Sequence, residues 1–315
     1  MNKYSRIYLN FMQGCIIISN HKLERTVIMK KFSKVVALIL AALFVVACFA
    51  ACAPQGETNT AKVKVIEIDL SDEVYALGID KDQPELLAAV NELIAEIKAN
   101  GKLDEICNHY FGDGEPVAIK SAQEDSSKDQ LIVATNAEFE PFEYKVGDSF
   151  YGIDMEIVQL LADKLGKELV ISDMDFNAVV TAVQQKKCDV AIAGLTVKPD
   201  RAEMVNFSES YYSASQRLVV KADDTTFDEC KTVEDVVAIL DTFDASVKIG
   251  GQNGTTGQYY VEGDEEFGFD GLAATFVGYS NGSLAVQDLI NGGVQYVIID
   301  AAPAAVITTA INAVA

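Results

Sequence analysis

The side chains that most often carry metal and nucleophilic chemistry are scarce in this chain. Its two histidines are His21 and His109, and its six cysteines are scattered, whereas a zinc site needs several such ligands at close spacing. No metal and no cofactor is expected. Cys107, Cys188 and Cys230 are the thiols beyond residue 52, an odd number that cannot all pair within one molecule. Cys188, beside an apolar strand, reads as a small buried hydrophobe. What the chain does offer is polar or small residues where apolar runs stop: Asn136 after LIVAT, residues 194–196 after DVAIA, and Asp300 after YVII. In sheets of parallel strands, ligands bind outside the carboxyl ends. Gly254-Thr255-Thr256-Gly257 adds a helix start, where free N–H groups and the helix dipole favour an anion. A phosphate-binding loop would need a lysine directly after its glycines, and none is present there.

Strand ends of this kind have to be held by a sheet with helices on its faces. From Leu131 the sequence alternates strand and helix: LIVATN, a helix over 155–165 with Asp154 at its N-cap, ELVIS, a helix over 178–185, and DVAIAG. That alternation predicts a mainly parallel sheet. The same grammar returns later, since VQQKKCDVAIAG and VQDLINGGVQYVIID both run from a helix end through a polar turn into an apolar strand. Two similar α/β units are expected, and 315 residues, half of them apolar, can bury two cores. Nearer the N-terminus, KVKVIEI at 62–68 alternates as a strand does, and YALGID comes next at 75–80. A helix is predicted over 84–99 with Leu86, Leu87, Val90, Leu93, Ile94 and Ile97 on one face, stopped by Asn100-Gly101. A shorter one covers 102–110, closed by Phe111-Gly112. The polar, aperiodic stretch 115–130 reads as a linker.

The first 52 residues have another role. Met29-Lys30-Lys31-Phe32-Ser33-Lys34 is a basic head, and an almost unbroken apolar run extends from 35 to 51, the layout of an export signal. The run ends in Phe49-Ala50-Ala51-Cys52 and then turns polar, which resembles a bacterial lipobox; on that resemblance Cys52 carries a lipid anchor. Cys48 is a second candidate, and an uncleaved membrane helix is the competing reading. Residues 1–28 read as a leader ahead of a true start at Met29, 29–52 as the lipoprotein signal, and 53–61 as a tether. Beyond residue 52 there are 18 basic against 46 acidic side chains. Such a surface repels a phosphate backbone, so nucleic acid is not an expected partner.

ATNAEFEPFEY, YGIDMEIVQLLADKLG, MDF, AGLTVKPDRAEMVNFS, GGQNGTTGQYY and VIIDAAPAA, in this order, closely resemble the polar amino acid binding proteins of ABC importers. These are the bacterial extracellular solute-binding proteins of family 3, and the matching stretches run from Leu131 to the C-terminus. The resemblance implies the type II periplasmic binding fold, an α/β architecture of two lobes joined by two hinge strands. It departs at the ends. The closing segment that family members carry after the last helix stands here ahead of the match, within residues 62–112. The chain therefore reads as circularly permuted, with 115–130 joining the family's usual termini. A tandem gene cut across two copies would give the same order. On the permuted reading, 75–112 and 131–219 form lobe 1, and 62–72 and 221–315 form lobe 2.

A free amino acid carries a carboxylate, an ammonium and a side chain. The resemblance assigns Arg201 to the α-carboxylate, which a planar guanidinium can grip bidentately, with Gly194 and Thr196 in the neighbouring loop. It assigns Asp300 to the α-ammonium, and Phe139 and Phe176 to the two faces of the ligand side chain. Thr255 and Thr256 open the helix that favours an anion. Asn136 stands where many relatives with basic ligands have an aspartate. The expected ligand is a free polar or basic amino acid, delivered by a monomeric binding protein to the permease of an ABC importer. The expected place is the outer face of the bacterial cell membrane, held by lipid, or the periplasm. An enzyme on the same scaffold, such as a dehydratase, and a ligand-sensing domain are the alternatives; enzymatic activity is not expected, because the set has no histidine and no evident acid and base pair.

Overall fold

The structure, a computed structural model, describes residues 61–314. The leader, the export signal, Cys52 and the tether up to residue 60 lie outside the described residues.

The chain opens with β1 (Val63–Ile66), β2 (Glu73–Tyr75), β3 (Gly78–Ile79), α1 (Pro84–Ala99) and α2 (Lys102–Phe111). Next come β4 (Gln130–Thr135), β5 (Glu138–Phe139), β6 (Glu143–Val146), β7 (Ser149–Tyr151), α3 (Ile153–Leu165), β8 (Glu168–Asp173), α4 (Phe176–Gln184), β9 (Val190–Ala191), α5 (Pro199–Met204) and β10 (Asn206–Phe207). The last third holds β11 (Tyr212–Ala214), β12 (Gln216–Lys221), α6 (Val233–Leu240), β13 (Lys248–Gln252), α7 (Thr256–Glu262), β14 (Thr275–Tyr279), α8 (Gly282–Asn291), β15 (Tyr296–Asp300) and α9 (Ala301–Ala313).

Ten of these strands make two five-stranded sheets of the same plan, while β5, β6 and β7 form a small sheet of their own. In one the order is β10-β3-β9-β4-β8, in the other β1-β12-β15-β13-β14. Each has three parallel strands on one side, β9, β4 and β8 or β15, β13 and β14, and two antiparallel strands on the other. The repeated helix-to-strand grammar corresponds to this repeat of plan. Between the sheets, β2 and β11 pair antiparallel as a two-stranded ribbon, so the chain crosses twice. Each lobe has its own apolar interior, with Leu131, Ile157 and Leu161 fully or nearly fully buried in the first and Leu218, Ile249 and Ile298 in the second.

Several elements differ from the sequence expectation. Residues 216–219, expected in lobe 1, lie in β12 of the second sheet, because the crossing is already complete at β11. YALGID is not one strand. Its first residue ends the hinge ribbon, and only Gly78 and Ile79 enter the first sheet. Asp154 is not the N-cap of α3, a place taken by Gly152; its side chain instead turns inward and is fully buried. Helix α4 starts two residues earlier than expected, since Asp175 caps it by accepting from Asn177 N. Helix α1 matches its predicted bounds, with Pro84 in the first turn and Gly101 just past the end at φ 78°.

The stretch 115–130 holds no helix, yet it is docked. Ile119 exchanges backbone bonds with Phe150, Ala122 N donates to Leu169 O at 2.8 Å, and Ile171 N donates to Ser121 Oγ at 2.9 Å. It therefore covers the outer edge of β8, the edge strand of the first sheet.

Candidate ligand-binding site

The parallel strands of both sheets end facing one another. The loop after β9 supplies Ala193, Gly194 and Thr196, and Gln252 and Asp300 are the last residues of β13 and β15. Together with Phe139, Phe176, Arg201, Thr255 and Thr256 they line one cavity. Eight of the nine residues expected at the site therefore come together. The ninth, Asn136, stands behind the wall: its Nδ2 donates to Met174 O at 2.9 Å, and its Oδ1 accepts from Gln252 Nε2 at 3.0 Å.

Arg201 lies in the short α5, which Pro199 starts. The residue is 8% exposed. Nη1 donates to Thr196 O at 2.8 Å within its own lobe, and Nη2 donates to Gly254 O at 2.9 Å on the other. The guanidinium also lies over the Phe176 ring, 5.3 Å from its centroid. Burial pulls its pKa below the ordinary value, but a guanidinium stays charged at any physiological pH. Among the described residues no carboxylate forms an ion pair with it, so a buried cation faces the cavity with only carbonyl partners.

Asp300 is the opposite charge. It is 5% exposed, accepts a hydrogen bond from Tyr75 Oη, and ends the central strand of the second sheet. Burial first, and then the nearby charge of Glu73, push its pKa up to about 7. Glu73, in the hinge ribbon, accepts from Thr196 Oγ1 at 2.9 Å and from Gln216 Nε2 at 3.1 Å. Thr256 Oγ1 donates across the lobes to Thr196 Oγ1 at 3.4 Å, and Thr255 Oγ1 donates to Gln252 O at 2.9 Å as α7 begins.

Gly194 has a tighter role than the sequence conveys. Its φ is +51°, and a Cβ there would sit 2.7 Å from Phe139 Cε1. The close approach it permits is that of the aromatic ring. Its N–H is taken, donating to Asp154 Oδ2 at 2.8 Å, and Asp154 Oδ1 accepts from Tyr211 Oη at 2.7 Å. Glu143 is fully buried, and burial first, then the Asp154 charge, push its pKa well above the ordinary value. Asp154 thus fixes the loop after β9 through Gly194 N.

Sequence reasoning missed Gln252, Glu73, Tyr75 and Lys198. Gln252 carried the same signal as Asp300, a polar residue closing an apolar strand. Glu73 and Tyr75 carried none, because a hinge ribbon of three residues has no period to read. Lys198 precedes α5 and is nearly buried. Its Nζ lies 3.0 Å from Asp200, 3.0 Å from Asp264 and 3.2 Å from Glu266, and 4.9 Å and 5.7 Å from the Tyr259 and Phe267 ring centroids. His109 is remote from the cavity, bonded through Nδ1 to Glu156 at 2.9 Å.

Residues 131–300 match the profile of the bacterial extracellular solute-binding proteins, family 3. The chain belongs to that family. Its two lobes and two hinge strands are the type II periplasmic binding fold. Over 99 residues it is 43% identical to the arginine-binding extracellular protein ArtP of Bacillus subtilis (strain 168), a match covering 31% of this chain and 39% of that protein. Over 164 residues it is 25% identical to the ABC transporter arginine-binding protein 1 of Escherichia coli (strain K12), covering 50% of this chain and 62% of that one. The chain thus spans less than two thirds of the length of either relative. Among solved structures, an ancestral arginine-binding protein bound to arginine is 31% identical with a TM-score of 0.49, over 58% of this chain and 75% of that chain. An ancestral amino acid-binding protein described as a precursor of cyclohexadienyl dehydratase is 26% identical at a TM-score of 0.49, over 66% of this chain and 78% of that chain.

Proposed function

We propose that the chain binds a free polar or basic amino acid between its lobes and delivers it to the permease of an ABC importer. One observation carries the reading: Arg201 from lobe 1 and Asp300 from lobe 2, both buried, line the same cavity with opposite charge. A zwitterion satisfies both at once. Its carboxylate meets the guanidinium, where N–H groups beyond the two carbonyl bonds are left, and the opening turn of α7, and its ammonium meets Asp300. Phe139 and Phe176 flank the side chain. Only a ligand touching both lobes favours the closed state, so hinge closure about β2 and β11 becomes the signal that a permease reads. Cys52 carries the lipid that holds this monomer at the outer face of the membrane. The reading is one of binding without catalysis. The names of the relatives, which specify arginine, support the substrate class.

We also read the order of the chain as circularly permuted relative to its family. The support is a junction in space: Asn312, near the end of α9, accepts from Lys62 N at 2.8 Å and donates from Nδ2 to Val63 O at 2.8 Å. The last helix of lobe 2 therefore ends where β1 begins, as an order running α9 to β1 requires.

A thermal-shift screen of the full chain against the twenty amino acids tests the binding role. A ligand at a hundredfold its dissociation constant stabilises by about 2.7 kcal/mol, so at least one should raise the melting temperature. A flat result with all of them would contradict the reading.

A further inference from the structure

A buried carboxylate is costly unless a cation or a full set of hydrogen bonds answers it. Glu73 is 4% exposed, and among the described residues its hydrogen-bond partners are all neutral. Oε1 accepts from Ser71 Oγ at 2.6 Å and from Gln216 Nε2 at 3.1 Å, and Oε2 accepts from Thr196 Oγ1 at 2.9 Å. The residue opens β2, whose alternation buries Glu73 and Tyr75 and leaves Val74 exposed. The hinge strand thus turns two polar side chains inward. Tyr75 Oη donates to Asp300, and Glu73 holds a neighbour of each of the two ligand charges.

Those neighbours lie on different lobes. Thr196 belongs to lobe 1, and its carbonyl accepts from Arg201 Nη1 at 2.8 Å. Gln216 begins β12 of lobe 2 opposite Asp300 in the ladder, and its backbone N–H is held as well, donating to Ser71 Oγ at 2.9 Å. The protons between them can be assigned. A carboxylate only accepts, so the single hydroxyl proton of Thr196 goes to Glu73. For every other group that oxygen is an acceptor, and it takes the Thr256 hydroxyl of the facing lobe at 3.4 Å. Thr196 therefore has no hydroxyl proton left for a ligand carboxylate; its side chain links the hinge to the start of α7.

We propose that Glu73 is a positioning residue of the binding site, which through Thr196 and Gln216 sets the spacing of Arg201 and Asp300 and ties it to the hinge. The inference rests on the amino-acid-binding reading and deepens it. Glu73 acts through other residues, since the cavity lining is made by its neighbours. Its charge is felt by Asp300 and by Arg201. The titratable and charged groups facing Asp300 are Glu73, Tyr75 and, across the cavity, Arg201.

Calorimetry of the full chain against the twenty L-amino acids selects the probe, and the best binder is then titrated into variants. Glu73→Gln keeps the shape and removes the charge, whereas Thr196→Val keeps the shape and removes the hydroxyl. Each should weaken binding about tenfold, and the two together also about tenfold, because both break one link. Glu73→Gln should in addition move the fall of affinity with pH to lower pH, since Asp300 loses a neighbouring negative charge. Thr196→Val changes no charge and should leave that fall in place. Should Glu73→Gln fail to fold, Thr196→Ser carries the test: with the hydroxyl restored it should bind within about threefold of the unaltered chain, where Thr196→Val does not. Losses that multiply to about a hundredfold, a pH profile that Glu73→Gln leaves where it was, or a Thr196→Val chain with full affinity would each overturn the proposal and leave the two-charge site standing. Silence from all twenty amino acids would instead bring down the binding role and this inference with it.

Discussion

On the proposed reading, Arg201 and Asp300 would divide the work by their chemistry. The guanidinium already spans the lobes, touching Thr196 O on one side and Gly254 O on the other. Replacing it with alanine should cost on the order of 2 to 5 kcal/mol of affinity, the usual effect of truncating one partner of a buried charge pair, and calorimetry reads it directly. On the proposed reading, Asp300 would make the binding pH-dependent. Its folded-state pKa, raised to about 7 in the absence of ligand, means it is protonated at lower pH, whereas an ammonium needs the carboxylate. Affinity should be full above pH 7 and fall as pH drops through it, by up to about tenfold per unit. Titrations in buffers of different ionisation enthalpy should show one proton released below pH 7. A flat affinity profile between pH 5.5 and 8 would remove this role from Asp300. That these two residues line one cavity was legible because each belongs to a pattern, one to a family motif and the other to the end of an apolar strand. Asn136 belonged to the same pattern and yet lies behind the wall, since its position on the strand says nothing of Gln252 reaching across from the facing lobe.

At the scale of elements, α5 and the segment after α7 form a clasp. Lys198 of lobe 1 enters an acidic and aromatic nest in which Asp264, Glu266, Tyr259 and Phe267 come from lobe 2. The clasp exists only when the lobes are together, so it adds to the closed state without touching the cavity. Lys198→Met keeps the aliphatic stem, drops the charge, and leaves the carboxylates repelling one another. Ligand affinity should fall about tenfold or more, measured by the same titration, with far-UV circular dichroism unchanged. Equal affinity in the variant would show that closure does not need the clasp. Nothing in the sequence pattern pointed to it, because its partners are some 60 positions apart and none closes a periodic element. Helix α1 was readable to the residue, since proline starts it, Asn100-Gly101 stops it and one face is apolar throughout. The hinge was not. Strands of two and three residues carry no period, and YALGID reads as one stretch straight through the break at Ala76 and Leu77.

For the whole molecule, two sheets of one plan face each other with their strand ends. If the order is a permutation, joining the end of α9 to β1 and opening the chain within 115–130 should restore the family order without harm. Such a variant should fold cooperatively and bind the same amino acid within about threefold, because Asn312 already reaches Lys62 and Val63. An unfolded product would count against the permuted reading. That two lobes exist was legible in the repeated helix-to-strand grammar. Where they divide was not, since β12 continues an apolar run that looks the same on either side of the crossing.

Two charges from two lobes meeting one zwitterion are what the binding role depends on. Calorimetry with the amino acid that binds best, compared with its α-carboxamide and its N-acetyl derivative, tests that claim most directly. Each blocked form lacks one of the two charges, and each should lose at least about a hundredfold in affinity. Binding of either blocked form as tight as that of the free amino acid would contradict it.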